Sequence, residues 1–189
     1  LLAQHITYKW VLDNILPVGA RLLFHGAQGL GKSLTALELA IAVLQEGQFF
    51  GEWQAHRRGG VLYVQADLPM ILHRDRMDRL VKRWPWVRQL PLYHYCPDFF
   101  DIMDLAHDDE LTGRLQDTDP CFVIWDVLRA IEHLEEKEHV PGLVYGQMHA
   151  IFPHAAHLII HHDRKVTRDY QEGWLDHREA FSGMKGWIN

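Results

Sequence analysis

The segment Gly26-Ala27-Gln28-Gly29-Leu30-Gly31-Lys32-Ser33 constrains this 189-residue chain more than any other. It fits G-x-x-x-x-G-K-[ST], a loop that works only between a buried strand and a helix. The glycines let the backbone bend until several N–H groups converge on phosphate oxygens. The helix that follows adds its positive N-terminal end. Lys32 supplies a point charge to β- and γ-phosphates, and Ser33 a hydroxyl to Mg²⁺. The candidate cradle therefore comprises Gly26, Ala27, Gln28, Gly29, Leu30, Gly31, Lys32, Ser33 and Leu34, and its ligand is ATP with Mg²⁺.

The flanking sequence meets that demand. Arg21-Leu22-Leu23-Phe24-His25 reads as a buried strand before the loop. Lys32 to about Gln45 reads as a helix after it, with Leu34, Leu37, Ile41 and Leu44 on one stripe. Gly47 and Gly51 punctuate its end. Arg57-Arg58-Gly59-Gly60 reads as a turn, and Val61 to Gln65 as the next strand. Met77, Leu80, Val81 and Trp84 predict a helix over about 70–84, which Pro85 stops. Leu92–Tyr95 is a weaker strand and Phe122–Trp125 a strong one. A helix over about 142–152 and a strand at Leu158–His161 follow. Between Tyr95 and Phe122, Asp98 to Glu110 holds six acids and no Lys or Arg, the pattern of a solvated loop and helix start. Strand–helix alternation of this kind predicts an α/β fold with a parallel sheet.

Three acid or histidine positions extend the phosphate loop into a candidate reaction centre. Asp126 ends the apolar run Cys121–Trp125, where a carboxylate can hold Mg²⁺ through water. Asp67 lies just beyond the strand Val61–Gln65. It is placed either to deprotonate an attacking water or simply to form the turn before Leu68-Pro69. His161 and His162 end the last strand, where a polar side chain can report whether a γ-phosphate is present. Two readings compete with this: a core or surface histidine pair of no special role, and a metal site formed with the nearby His154 and His157. The catalytic candidates are thus Lys32, Asp67, Asp126, His161 and His162, with Ser33 and Asp126 for the metal.

Composition bounds the rest. Hydrophobic residues make up 48% and charged residues 23%, a globular balance. Nineteen basic against 25 acidic side chains give a net −6, which argues against binding nucleic acid or anionic membrane by bulk charge. Only Cys96 and Cys121 are present, so a disulfide scaffold is excluded and a reducing cytoplasm fits. No apolar run approaches the roughly 20 residues of a membrane span. The start at Leu1 and stop at Asn189 suggest one domain, residues 1–189, taken from a longer protein that continues with further strands.

Gly26–Ser33, "VLYVQADLP", "FVIWDVLRAIEHLEEKE" and "LIIHHDRK" together resemble the RecA-like P-loop ATPases of the RepA type. That group includes hexameric plasmid helicases and related phage and mobile-element ATPases. The D-x-L-R after the second acid, the segment with His133, Glu135 and Glu136, and the His-His strand end carry the resemblance. It implies a homo-oligomeric ring, a hexamer in the relatives, with ATP bound between subunits. The relatives' catalytic glutamate corresponds to Asp67, one methylene shorter, and their γ-phosphate sensor to His161 or His162. Arg129 takes a structural or interface role. Glu138 stands where relatives usually carry Asn. The arginine finger acts in trans and lies past "FSGMKGWIN".

The resemblance also implies single-stranded DNA, gripped by loops lining a central channel. Residues 163–180 fall where such a loop follows the sensor strand. There Arg164, Lys165, Arg168 and Arg178 interleave with Tyr170 and Trp174, diluted by five acids. Arg74, Arg76, Arg79, Lys82 and Arg83 form a more basic helix, whose plain reading is a solvated outer face. The expected activity is ATP hydrolysis coupled to DNA replication or mobilisation. The alternatives are a regulatory or repair ATPase of the RadA or KaiC kind, a nucleotide-gated module without turnover, and a small-molecule kinase, for which no Arg-rich lid is visible.

Overall fold

The computed structural model describes residues 8–97, 101–105, 108–128 and 141–162. The loop 163–180, Arg129, the segment from His133 to Glu138 and the chain end lie outside the described residues.

Two short strands, β1 (Trp10–Leu12) and β2 (Leu16–Pro17), form an antiparallel hairpin ahead of the main sheet. Strand β3 (Arg21–Gly26) leads through the glycine-rich loop into helix α1 (Lys32–Gln45). A second small hairpin pairs β4 (Gln48–Phe49) with β5 (Trp53–Gln54). Then come β6 (Gly60–Gln65), α2 (Met70–Arg83), a 3₁₀ turn (Pro85–Gln89) and β7 (Leu92–Tyr95). Two short helices, α3 (Ile102–Leu105) and α4 (Asp109–Gln116), precede β8 (Pro120–Asp126). Helix α5 (Pro141–Ile151) and strand β9 (Ala156–His162) complete the described chain.

Five strands make one parallel sheet in the order β3-β9-β8-β6-β7. Strand β9, last in sequence, is inserted between the loop strand β3 and the acid-bearing strand β8. Both faces are covered, so the inner strands read as unbroken apolar runs instead of alternating ones. On one face Val61, Tyr63, Phe122, Ile124, Leu158 and Ile160 pack with α1 and the hairpins. On the other Leu62, Val64, Val123, Trp125 and Ile159 pack with α3, α4 and α5. Trp125 is wholly buried and its Nε1–H donates to His157 Nδ1 at 3.2 Å, which gives the indole its partner in the interior.

The structure departs from the sequence reading in three places. The inward face of α1 is broader than the predicted stripe and adds Ala36, Leu39, Ala40 and Val43, where small residues let the helix approach the sheet. Of the predicted stripe, Leu37 and Leu44 are buried in this core, whereas Ile41 is half-buried and Leu34 is 59% exposed. Leu34, Leu37 and Ile41 also border a groove of about 460 Å³ with Leu80, Trp84 and Trp86. At the end of α1, Glu46 and not a glycine takes the left-handed position, with φ 52°, while the Gly47 N–H closes on the Ala42 carbonyl. The acidic segment also buries Ile102 and Leu105 among its charges, so it is anchored to the sheet and not simply solvated. No helix among the described residues is long and apolar enough to cross a membrane.

Candidate functional site

Parallel pairing brings the carboxyl ends of four strands to one edge of the sheet. Gly26 at the end of β3 pairs with His162 at the end of β9, and Gln65 at the end of β6 pairs with Asp126 at the end of β8. Loops leave that edge, and α/β sheets bind ligands there.

The glycine-rich loop wraps the start of α1. Gly31 caps the helix with φ 84°, a left-handed conformation that a side chain would strain. The Gly31 carbonyl takes the first helical bond, from the Thr35 N–H at 2.9 Å. Lys32 is nearly buried, and its Nζ donates to the Gly26 and Ala27 carbonyls at 2.6 and 2.8 Å. The ammonium therefore lies along the loop's inner wall. A cleft of about 330 Å³ opens over this point, lined by Gln28, Gly29, Gly31, Lys32, Ser33 and Leu34 from the loop and helix. Gly26 and Ala27 contribute carbonyls behind the lysine, and Leu30 projects into solvent.

The opposite wall of the same cleft is Gln65, Asp67, Leu68, Arg76 and His162. Asp67 Oδ2 lies 3.7 Å from His162 Nε2, so the candidate base and the candidate sensor stand side by side. The two neighbouring histidines part ways because strand side chains alternate. His162 lines the cleft. His161 is buried and shares the sheet face of Ile159 and His157, away from the cleft. The four histidines do not converge. His157 is engaged with Trp125, and among the described residues no three His, Cys, Asp or Glu side chains are grouped to hold a metal.

Asp126 lies at the floor, 1% exposed. The Tyr63 hydroxyl donates to its Oδ2 at 2.5 Å. With its amide oriented to satisfy both ends, Gln65 donates to the same oxygen at 2.8 Å and accepts from the Leu68 N–H at 3.1 Å. Burial raises the Asp126 carboxyl above its ordinary range, while hydrogen bonds from Tyr63 and Ser33 and the charge of Arg76 pull it back toward ionisation. The same burial, with the adjoining carboxylate, pushes the Tyr63 phenol well up, so it stays a donor. A hydroxyl and a carboxylate, both hard oxygen donors, fit Mg²⁺. Ser33 and Asp126 are the residues that would hold it.

Sequence reasoning missed Tyr63, Gln65 and the inward aim of Arg76. A signal existed for the first two. They alternate on a strand whose residues are all buried, and a polar group in such a strand needs an internal partner.

Comparison with known proteins agrees with this architecture. The chain is similar in fold to the flagellar accessory protein FlaH from Methanocaldococcus jannaschii, with a TM-score of 0.53 and 14% identity. The match covers 88% of this chain and 70% of that one. No curated protein sequence matches it. The five-stranded parallel sheet, with the phosphate loop between β3 and α1, is an α/β RecA-like fold. With residues 2–168 matched by the family's profile, the chain belongs to the AAA domain family.

Proposed function

We propose that this chain binds MgATP and hydrolyses it by in-line attack of water on the γ-phosphate. The observation that carries the reading is the single cleft joining Gly29, Gly31, Lys32 and Ser33 to Asp67 and His162. In this reading the loop N–H groups and Lys32 hold the phosphates, and the N-terminal end of α1 adds favourable potential. Asp67 orients the water and accepts its proton, and His162 contacts the γ-phosphate and reports its loss. Asp126 is kept in place by Tyr63 and Gln65. Ser33 and Asp126 would hold Mg²⁺, which would supply positive charge against the negative charge developing on the transferred group.

The biological output we propose is an ATPase of the RepA type, working as a ring of identical subunits and coupled to single-stranded DNA through residues 163–180. Support for this comes from the motif resemblance and from the aromatic and basic residues of that segment. A second reading, tight binding without turnover, is favoured by one observation: the side chain beside His162 is aspartate, one methylene shorter than the relatives' glutamate.

Three measurements separate these readings. Lys32→Ala abolishes nucleotide binding; unchanged affinity would sink the site. Asp67→Asn leaves affinity within a few-fold while hydrolysis drops by about 10²–10⁴, the worth of a positioned base. Hydrolysis that persists at the original rate makes Asp67 a turn residue. Single-stranded DNA stimulates hydrolysis in the intact protein; a rate indifferent to DNA refutes the coupling.

A further inference from the structure

Helix α2 carries five basic side chains, and four behave as an outer face. Arg74, Arg79, Lys82 and Arg83 are exposed, and Arg79 is paired with Asp75 at 2.7 Å. Arg76 differs. It lies three residues from the buried His73 and four from Leu80, on the side of the helix that meets the sheet. Its side chain reaches the phosphate cleft, where it lines the wall with Asp67, Leu68 and His162 opposite Lys32 and Ser33. Its Nη1 is buried and has no hydrogen-bond partner among the described residues. A desolvated guanidinium N–H without an acceptor is costly, and such a group is commonly completed by an anionic ligand. The nearest buried acid, Asp126, is already served by Tyr63 and Gln65. What the cleft is otherwise built to receive is phosphate.

We propose that Arg76 is an in-chain phosphate contact, donating from its guanidinium to the γ-phosphate of the nucleotide held by this same subunit. The inference rests on the reading of the cleft as an ATP site. Three features point to the γ end. Arg76 stands on the wall with Asp67 and His162, the wall facing the loop, and not on the loop side that holds the proximal phosphates. Its field is felt at Asp126, Tyr63 and His73, on the β6–β8 side of the cleft. A planar fork can also take two phosphate oxygens at once, which a lysine cannot. Arg76 would then offset charge developing on the transferred group within one subunit, besides any arginine supplied in trans.

The test uses fluorescent forms of ADP and of the non-hydrolysable β,γ-imido analogue of ATP, titrated into the intact protein. Arg76→Ala should weaken the triphosphate analogue on the order of 10- to 100-fold and ADP by under about 3-fold, the worth of one charge-assisted contact. Arg76→Lys should recover part of the loss by restoring charge without the fork. Because the contact lies within one subunit, the discrimination should not change with protein concentration. A wild-type protein that binds both nucleotides, with a variant that loses both equally or neither, overturns the arginine's role alone. A wild-type protein that binds neither overturns the ATP site and the arginine's role with it. Should Arg76→Ala melt early, Arg76→Gln, which keeps the stem and the polarity, takes its place with the same expected discrimination.

Discussion

Replacing Tyr63 by Phe removes one oxygen and leaves the ring in place. The site where that happens is fully dry: Tyr63 is 0% exposed and Asp126 1%. The lost bond is a phenol donating to a carboxylate at 2.5 Å, a charge-assisted contact worth about 1.5–3 kcal/mol. No cavity is created, so the cost is confined to the hydrogen bond and to the carboxylate oxygen left under-solvated. For a domain of this size, about 2 kcal/mol lowers Tm by roughly 4–8 °C. Loss of the Tyr63 donor, which holds the Asp126 pKa down, also lifts that carboxyl further above its already raised position. Because Mg²⁺ needs the carboxylate ionised, the Mg²⁺ concentration that half-saturates nucleotide-dependent activity should rise, and rise more at pH 6 than at pH 8. Differential scanning calorimetry reads the first effect and Mg²⁺ titration at two pH values the second. A variant with unchanged Tm and an unchanged Mg²⁺ requirement at both pH values would show that the phenol does not hold Asp126 in its working state.

Other consequences are equally direct. His157 is 1% exposed and burial lowers its imidazole to about 4, whereas the unfolded chain titrates near 6.5. Between those values the unfolded chain binds the extra proton, so stability falls with acid, by about 3 kcal/mol across the window; His157→Gln, which can still accept from Trp125, should flatten the Tm-versus-pH curve between 4 and 6.5, and an identical slope would refute this. Gly59→Ala would drive a Cβ into the Asp119 carbonyl and against the Cys121 N–H at 3.3 Å, both backbone atoms, and should cost about 1–3 kcal/mol in a urea titration. The histidine pair should separate by assay: His161→Ala lowers Tm by opening the core, while His162→Ala leaves Tm nearly unchanged and slows hydrolysis.

The parts that could be read from the sequence are those fixed by local chemistry. Lys32–Gln45 is helical because a phosphate loop must run into a helix, and Phe122–Trp125 is a strand because a parallel strand covered on both sides can be apolar throughout. Asp126 stood out as an acid closing such a run. What stayed hidden depends on how distant elements meet. Tyr63 becomes a partner of Asp126 only through the β6–β8 register. Which of His161 and His162 faces the cleft depends on the face β9 presents, and either parity fits the string Leu-Ile-Ile-His-His. Arg76 was submerged in a helix with charges on nearly every side, where periodicity does not distinguish the one basic residue that turns inward. The hairpins β1–β2 and β4–β5 use strands of two or three residues, too short for any alternation to register.

The placement of β9 also bears on the time course of folding. Among the described strands, the loop strand β3 pairs with β9 alone, so Arg21 finds its neighbour in His157 and Gly26 finds its neighbour in His162. A ribosome therefore releases the phosphate loop early, yet that loop has no strand to lie against until almost all of the described chain has emerged. Strands β6, β7 and β8 can associate before then, since their partners are closer in sequence. Pairing of β3 with β9 completes the described sheet and sets Gly26, at the mouth of the phosphate loop, beside His162. Acquisition of nucleotide affinity during synthesis or refolding would thus mark completion of the sheet, a late event that labelled nucleotide could time directly.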